Sequence, residues 1–330
     1  MTFSVAGDKD HKRIIATFML RKRIKQDRIF RLILFAAGGY ILVIMGLLFL
    51  TLSQGSIPVL EYMGLEFFYG IDWNTVEGRE TYGILPYVIG TLVSSAIAMV
   101  IAVPVSLMIG IFLSEMTGPR VSTPISFIIE ILASVPSVIY GLWAIFVFRF
   151  WLVDYVELPL HNAFGDNLFL FARTPFGLDI FTAGIVLAIM IIPIISAVMR
   201  EIMKTVPDSQ REAAYSLGAT RWEMVKTAIV PYAKSGLLGA SILGLGRAIG
   251  ETILVTMVIG GVKGAAAIPD SPFAPSNTIA AIIAQNFAEA SGLQLSALIG
   301  GALVLVILAF GINLLAHFMV SRMVKTVPTA

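Results

Sequence analysis

The sequence predicts an all-α integral membrane protein, a bundle of six transmembrane helices with one structured helix-turn-helix loop on the cytoplasmic side. Three observations carry this. The composition is 57% hydrophobic and 13% charged, against about 25% charged for a soluble domain. Six stretches are apolar and long enough to cross a hydrocarbon layer of roughly 30 Å. The Lys and Arg residues concentrate on alternate connecting segments.

The elements follow in order. Residues 1–31 form a basic segment whose charges run from Lys9 to Arg31. The apolar run behind it is too long for a signal-peptide core of about 7–15 residues, so it reads as an uncleaved first span over 32–52. The spans are placed at Leu32–Leu52, Gly83–Leu113, Ser126–Phe148, Asp179–Met199, Ser235–Val262 and Leu295–Val320, with residues 321–330 as a C-terminal tail. The second span would exceed the bilayer core as a straight helix, so it must tilt, protrude or bend at Pro86 or Pro104.

Charge orients the bundle. With both termini inside, most of the 23 Lys and Arg lie on inner segments, Arg79, Arg149, Arg173 and Lys263 lie outside, and Arg247 is intramembrane. This is the positive-inside bias. Of the outer segments, Ser53–Tyr82 carries Tyr62, Phe67, Phe68, Tyr69 and Trp73, which suit an interfacial position. Arg149–Leu178 is read as a loop. The third, rich in Pro, offers Asn277 as the N-cap of a short helix reaching Ala290.

Some chemistry is excluded. The chain has no cysteine, its three histidines (His11, His161 and His317) are scattered, and no metal site is expected. No G-x-x-x-x-G-K-[ST] loop occurs, so ATP hydrolysis by that route is absent from this chain, and no His/Asp/Cys constellation supports an enzyme. The glycines of GLGRAIG lack a dinucleotide spacing and suit helix packing.

Two features remain. The first is the loop over 200–234. Ser209 and Glu212 fit a capping box, Ala213, Ala214 and Leu217 form an apolar stripe, and Gly218 suits the left-handed position past a helix end. Thr220 and Glu223 fit a second capping box, and Pro231 precedes the next span. The loop reads either as an amphipathic hairpin on the membrane surface or as a hairpin with small residues where a partner approaches closely. The second feature is Arg247, with Glu251 one helical turn later. A charge at a helix centre in the bilayer costs roughly 2.5–3.5 kcal/mol. The pair reads either as part of a path for an anion or as a structural ion pair. In the first case Arg247 offers a planar fork of donors to an oxyanion, while Glu251 restrains it and accepts the acidic proton of an oxyanion that carries one. Glu130 lies in the third span, and Ser137 and Tyr140 offer hydroxyls near Pro136; each is either a path residue or a packing residue of a kinked helix.

Glu212-Ala213-Ala214, Gly218 and Pro231 resemble the EAA loop of ABC importer permeases, with Ala228 and Val230 departing from the usual isoleucine and leucine. Together with ILPYVIGTLVSSAIAMVIAVPVSLMIGIFLSE, LASVPSVIYGLW and LGLGRAIGET, they resemble the PstC-type permeases of phosphate ABC importers from Gly83 onward. The resemblance implies a permease core over 83–320 in a prokaryotic inner membrane, with Glu212, Ala213, Ala214, Leu217, Gly218 and Pro231 coupling to an ATPase. It further implies a homologous second permease, a cytoplasmic P-loop ATPase dimer that holds ATP and Mg, and an extracytoplasmic phosphate-binding protein. No cofactor belongs to this chain. The alternatives are a sulfate, molybdate or phosphonate permease, or an ion-coupled secondary transporter, which would show inverted repeats and discontinuous helices.

Overall fold

The computed structural model describes residues 6–165 and 167–324; the ends of both expected tails, 1–5 and 325–330, lie outside the described residues. By internal contacts the chain divides into Met1–Gln54 and Gly55–Ala330. Helix α1 (Ala6–Met63) makes the basic segment and the first span one continuous helix. A two-stranded antiparallel hairpin follows, β1 (Trp73–Asn74) with β2 (Thr81–Tyr82). Phe67 and Trp73, expected at the interface, are buried, and Trp73 meets Tyr82 and Tyr87 edge to face. Tyr62, Phe68 and Tyr69 stay exposed.

Helix α2 (Leu85–Ile111) has Pro86 in its first turn, where a missing N–H costs nothing. It buries Gly90, Ser94, Ala98, Ala102, Ser106 and Gly110. This small residue at every fourth position allows the backbone of a neighbour to approach closely, as helix packing in lipid requires.

Helix α3 (Pro119–Ser134) ends where Pro136 forces Val135 into an extended conformation. The third span therefore lies at α4 (Ser137–Phe164) rather than at 126–148. Hydropathy runs unbroken across Pro136, but the backbone does not. Arg149, assigned to an outer loop, belongs to this span, which contains two π-type turns at Ala144–Phe148 and Val153–Glu157.

Helix α5 (Ile180–Lys204) is the centre of the bundle: most of it is buried, and α2, α3, α4 and the helices within 221–258 pack on it. Asp179 caps it by accepting from the Thr182 N–H at 2.8 Å. Gly184 sits where an added Cβ would lie 2.5 Å from Ile97 Cγ2, so α2 and α5 meet at a glycine.

Helices α6 (Asp208–Ser216) and α7 (Arg221–Gly250) come next, followed by α8 (Ile253–Val258), α9 (Ile279–Asn286) and α10 (Gly292–Val324). The fifth span is thus broken at Glu251 and Thr252 and does not run through 235–262. The cap of α9 is Thr278, which accepts from Ala281 N–H at 3.2 Å. Asn277 instead donates to Val262 O and Gln285 Oε1, stapling the loop to α9.

Candidate functional site

The loop between α5 and α7 folds as a helical hairpin. Helix α6 starts at Asp208 behind Pro207, two residues earlier than a Ser209 cap anticipates, so Ser209 falls inside the helix and caps nothing. Asp208 supplies the negative charge that the first turn favours. The end of α6 is a Schellman motif: Gly218, at φ +83°, donates to Tyr215 O at 2.9 Å and Ala219 donates to Ala214 O at 3.1 Å. The Thr220–Glu223 capping box forms in full. Pro231 does not separate two helices, because α7 continues from the hairpin into the membrane, with a widened turn at Val225–Ile229 just ahead of it. Glu212, Ala213, Leu217 and Gly218 face outward, while Ala214 packs partly on the core.

Arg211, next to Glu212, roots this hairpin. Its Nη2 and Nε donate to the two oxygens of Glu115 at 2.7 and 3.1 Å, a bidentate pair to the C-terminal end of the second span. Nη1 also donates to Val206 O at 2.6 Å and Nη2 to Met203 O at 3.1 Å. The Glu115 carboxylate is 5% exposed, and its bonds raise the Arg211 guanidinium pKa above its ordinary value. Sequence reasoning passed over this arginine; the signal was a basic residue beside a solvent-facing motif, which sequence alone does not pair.

Arg247 occupies the last turn of α7, where helix carbonyls favour a cation. It is exposed in an open groove of about 630 Å³ lined also by Ile194, Ile242, Leu243, Gly246 and Asn313. Among the described residues it makes no ion pair or hydrogen bond. The expected pairing with Glu251 does not form. Glu251 follows the helix end in an extended conformation (φ −72°, ψ 125°), so the i,i+4 relation is lost. It is buried, and its Oε1 accepts from Leu254 N–H at 3.3 Å, capping α8.

With this geometry in hand, similarity to known proteins becomes decisive. Residues 106–327 match the family described as binding-protein-dependent transport system inner membrane component. The chain belongs to this family. It is 41% identical over 289 residues to the phosphate transport system permease protein PstC of Pasteurella multocida, covering 87% of this chain and 89% of that protein. The protein of the same name from Xylella fastidiosa (strain Temecula1) is 41% identical, covering 91% and 92%. That of Mesorhizobium japonicum is 39% identical, covering 92% of each. This transport component is accordingly a multi-pass membrane protein with six candidate spans.

The remaining residues singled out from the sequence sit elsewhere in the component. Glu130 lies on α3, outside the third span, and accepts from Arg200 Nη2 at 3.2 Å. Arg200 also donates to Glu201, from Nη2 at 2.6 Å, so Glu130 joins an ion-pair cluster between α3 and α5. Tyr140 donates to Leu132 O at 2.9 Å. That carbonyl, whose helical donor would be Pro136, accepts from Val135 N–H at 3.2 Å and from this hydroxyl instead. Ser137 opens α4 on the other side of the same break, half-buried. None of the three lines the Arg247 groove. A buried pair escaped the sequence reading: Glu157 accepts from Thr182 Oγ1 at 3.0 Å, beside the Asp179 cap. Hydropathy had left Glu157 in a loop.

Proposed function

We propose that this chain is a transmembrane permease subunit of an ATP-driven inorganic phosphate importer. It is not itself a catalyst: ATP and Mg belong to a cytoplasmic P-loop ATPase dimer. The observation that carries the reading is Arg247, a permanent cation at membrane depth, exposed in an open groove without a counter-ion among the described residues. A guanidinium fork matches the paired oxygens of a tetrahedral oxyanion. Relatives about 40% identical along nearly their whole length, named as phosphate permeases, support the cargo.

In this reading the core spans 83–320, both termini face the cytoplasm, and a homologous permease closes the open side of the groove. An extracytoplasmic binding protein delivers phosphate to the outer loops. The ATPase pair closes on ATP, and the outward-facing Glu212, Ala213, Leu217 and Gly218 receive that motion. Because α7 carries both the hairpin and Arg247 as one continuous helix, displacement of the hairpin moves the anion site directly. The Arg211–Glu115 clamp carries the same motion to α2.

The test is purification of the intact complex and uptake of labelled phosphate into vesicles containing it. A P-loop ATPase is expected to co-purify, and unlabelled phosphate, but not sulfate in excess, is expected to suppress uptake. Uptake without any ATPase, or equal suppression by sulfate, contradicts the reading.

A further inference from the structure

Arg247 explains attraction of an anion but not choice among anions, since a guanidinium has five donors and no acceptor. Sulfate at neutral pH presents only acceptors, whereas phosphate retains at least one P–OH, a donor. A site that separates them needs an acceptor aimed at the bound anion. Glu251 was the natural candidate from the sequence, but the break in the fifth span spends its Oε1 on the Leu254 N–H and leaves it off the groove.

Asn313 takes that place. It lies on α10 in the run GALVLVILAFGINLLA, where an amide is costly to bury without partners. It is half-buried, lines the Arg247 groove, and makes no hydrogen bond among the described residues. Its amide faces Gly246, the residue before Arg247: a Cβ built on Gly246 would lie 3.9 Å from both Asn313 Nδ2 and Oδ1. The other residues that line the groove are glycines and aliphatic side chains. Among the described residues Asn313 therefore holds the only side-chain acceptor of the groove, and supplies a donor from the same amide.

We infer that Asn313 reads the hydroxyl of a protonated oxyanion bound to Arg247, accepting the P–OH proton at Oδ1 while Nδ2 donates to a second oxygen. Arg247 supplies affinity for any tetrahedral oxyanion, and Asn313 the preference for phosphate over sulfate. The inference rests on the groove being the transport path. One neutral hydrogen bond of this kind corresponds to roughly a tenfold preference.

The chain has no cysteine, so Leu243→Cys places a single reporter thiol on the groove wall. In the full complex, the rate of maleimide labelling at that thiol is measured with inorganic phosphate or sulfate as the protecting anion. Phosphate is expected to protect at about one-tenth the concentration at which sulfate does. Adding Asn313→Leu, an apolar replacement of similar size, is expected to raise the phosphate concentration required more than that of sulfate, which loses only the Nδ2 donation, and so to make the two equal. Adding Arg247→Gln is expected to abolish protection by both. Equal protection by the two anions in the Asn313 form, or a preference that survives Asn313→Leu, overturns the inference and leaves Arg247 as the anion site. Failure of both anions to protect, whatever residue stands at 247, overturns the path itself. A purely structural Asn313, bonded across to a neighbouring helix, would change assembly but not the ratio between anions.

Discussion

Arg211 and Arg247 are the same side chain placed in opposite circumstances. Arg211, at the root of the helical hairpin, spends its donors on Glu115, Asp208 and two backbone carbonyls and is largely buried. Arg247, at the end of a broken helix, is exposed and has no protein partner among the described residues. A guanidinium whose donors are satisfied inside the fold is part of the fold. One held within a candidate span with its donors unused is kept for something that comes and goes. Arg200 stands between them, shared by Glu201 and the exposed Glu130.

The contrast can be broken by substitution. Arg211→Gln leaves the buried Glu115 carboxylate without compensation, so the assembled complex should lose about 3 kcal/mol of stability, seen as a lower melting temperature. Combining it with Glu115→Gln should recover part of that loss. An unchanged melting temperature for the single variant would show the clamp bears no load. Glu251→Leu removes a cap from α8 and should cost about 1 kcal/mol, whereas Glu251→Gln keeps an acceptor and should be close to neutral by the same measurement. If Glu251 were instead the counter-ion of Arg247, the Gln variant would be damaging as well, since both replacements remove the charge. Glu130→Gln should shift stability by a few tenths of a kcal/mol at most, because its partner retains Glu201 and the carboxylate is mostly solvated. Phosphate uptake by the Glu130 variant should remain near normal.

Much of this was legible in the residues. Six spans were countable because lipid demands long apolar runs, and Gly218 with the Thr220–Glu223 box announced the hairpin through local chemistry alone. What escaped depended on backbone breaks and tertiary pairing. The run through Pro136 is apolar on both sides, so hydropathy could not say that the helix restarts there and carries Arg149 and Glu157 into the span. The break after Gly250 turned an apparent i,i+4 pair into two unrelated residues, and supplied a discontinuous helix that the sequence reading had not recognised. Asn313 was open to the rule that singled out Arg247, a lone polar residue in an apolar run, but without a charge it did not stand out. Arg211 looked like one more basic loop residue, since its partner lies 96 positions earlier.

The central claim is that Arg247 serves the substrate and not the fold. The most direct measurement is labelled-phosphate uptake by the Arg247→Gln complex, normalised to assembled complex and taken together with its melting temperature. The account predicts uptake lowered at least a hundredfold, on the order of 3 kcal/mol of lost anion stabilisation, with melting unchanged or raised. Normal uptake by a normally assembled Arg247→Gln complex, or a collapse of stability matching that of Arg211→Gln, would contradict it.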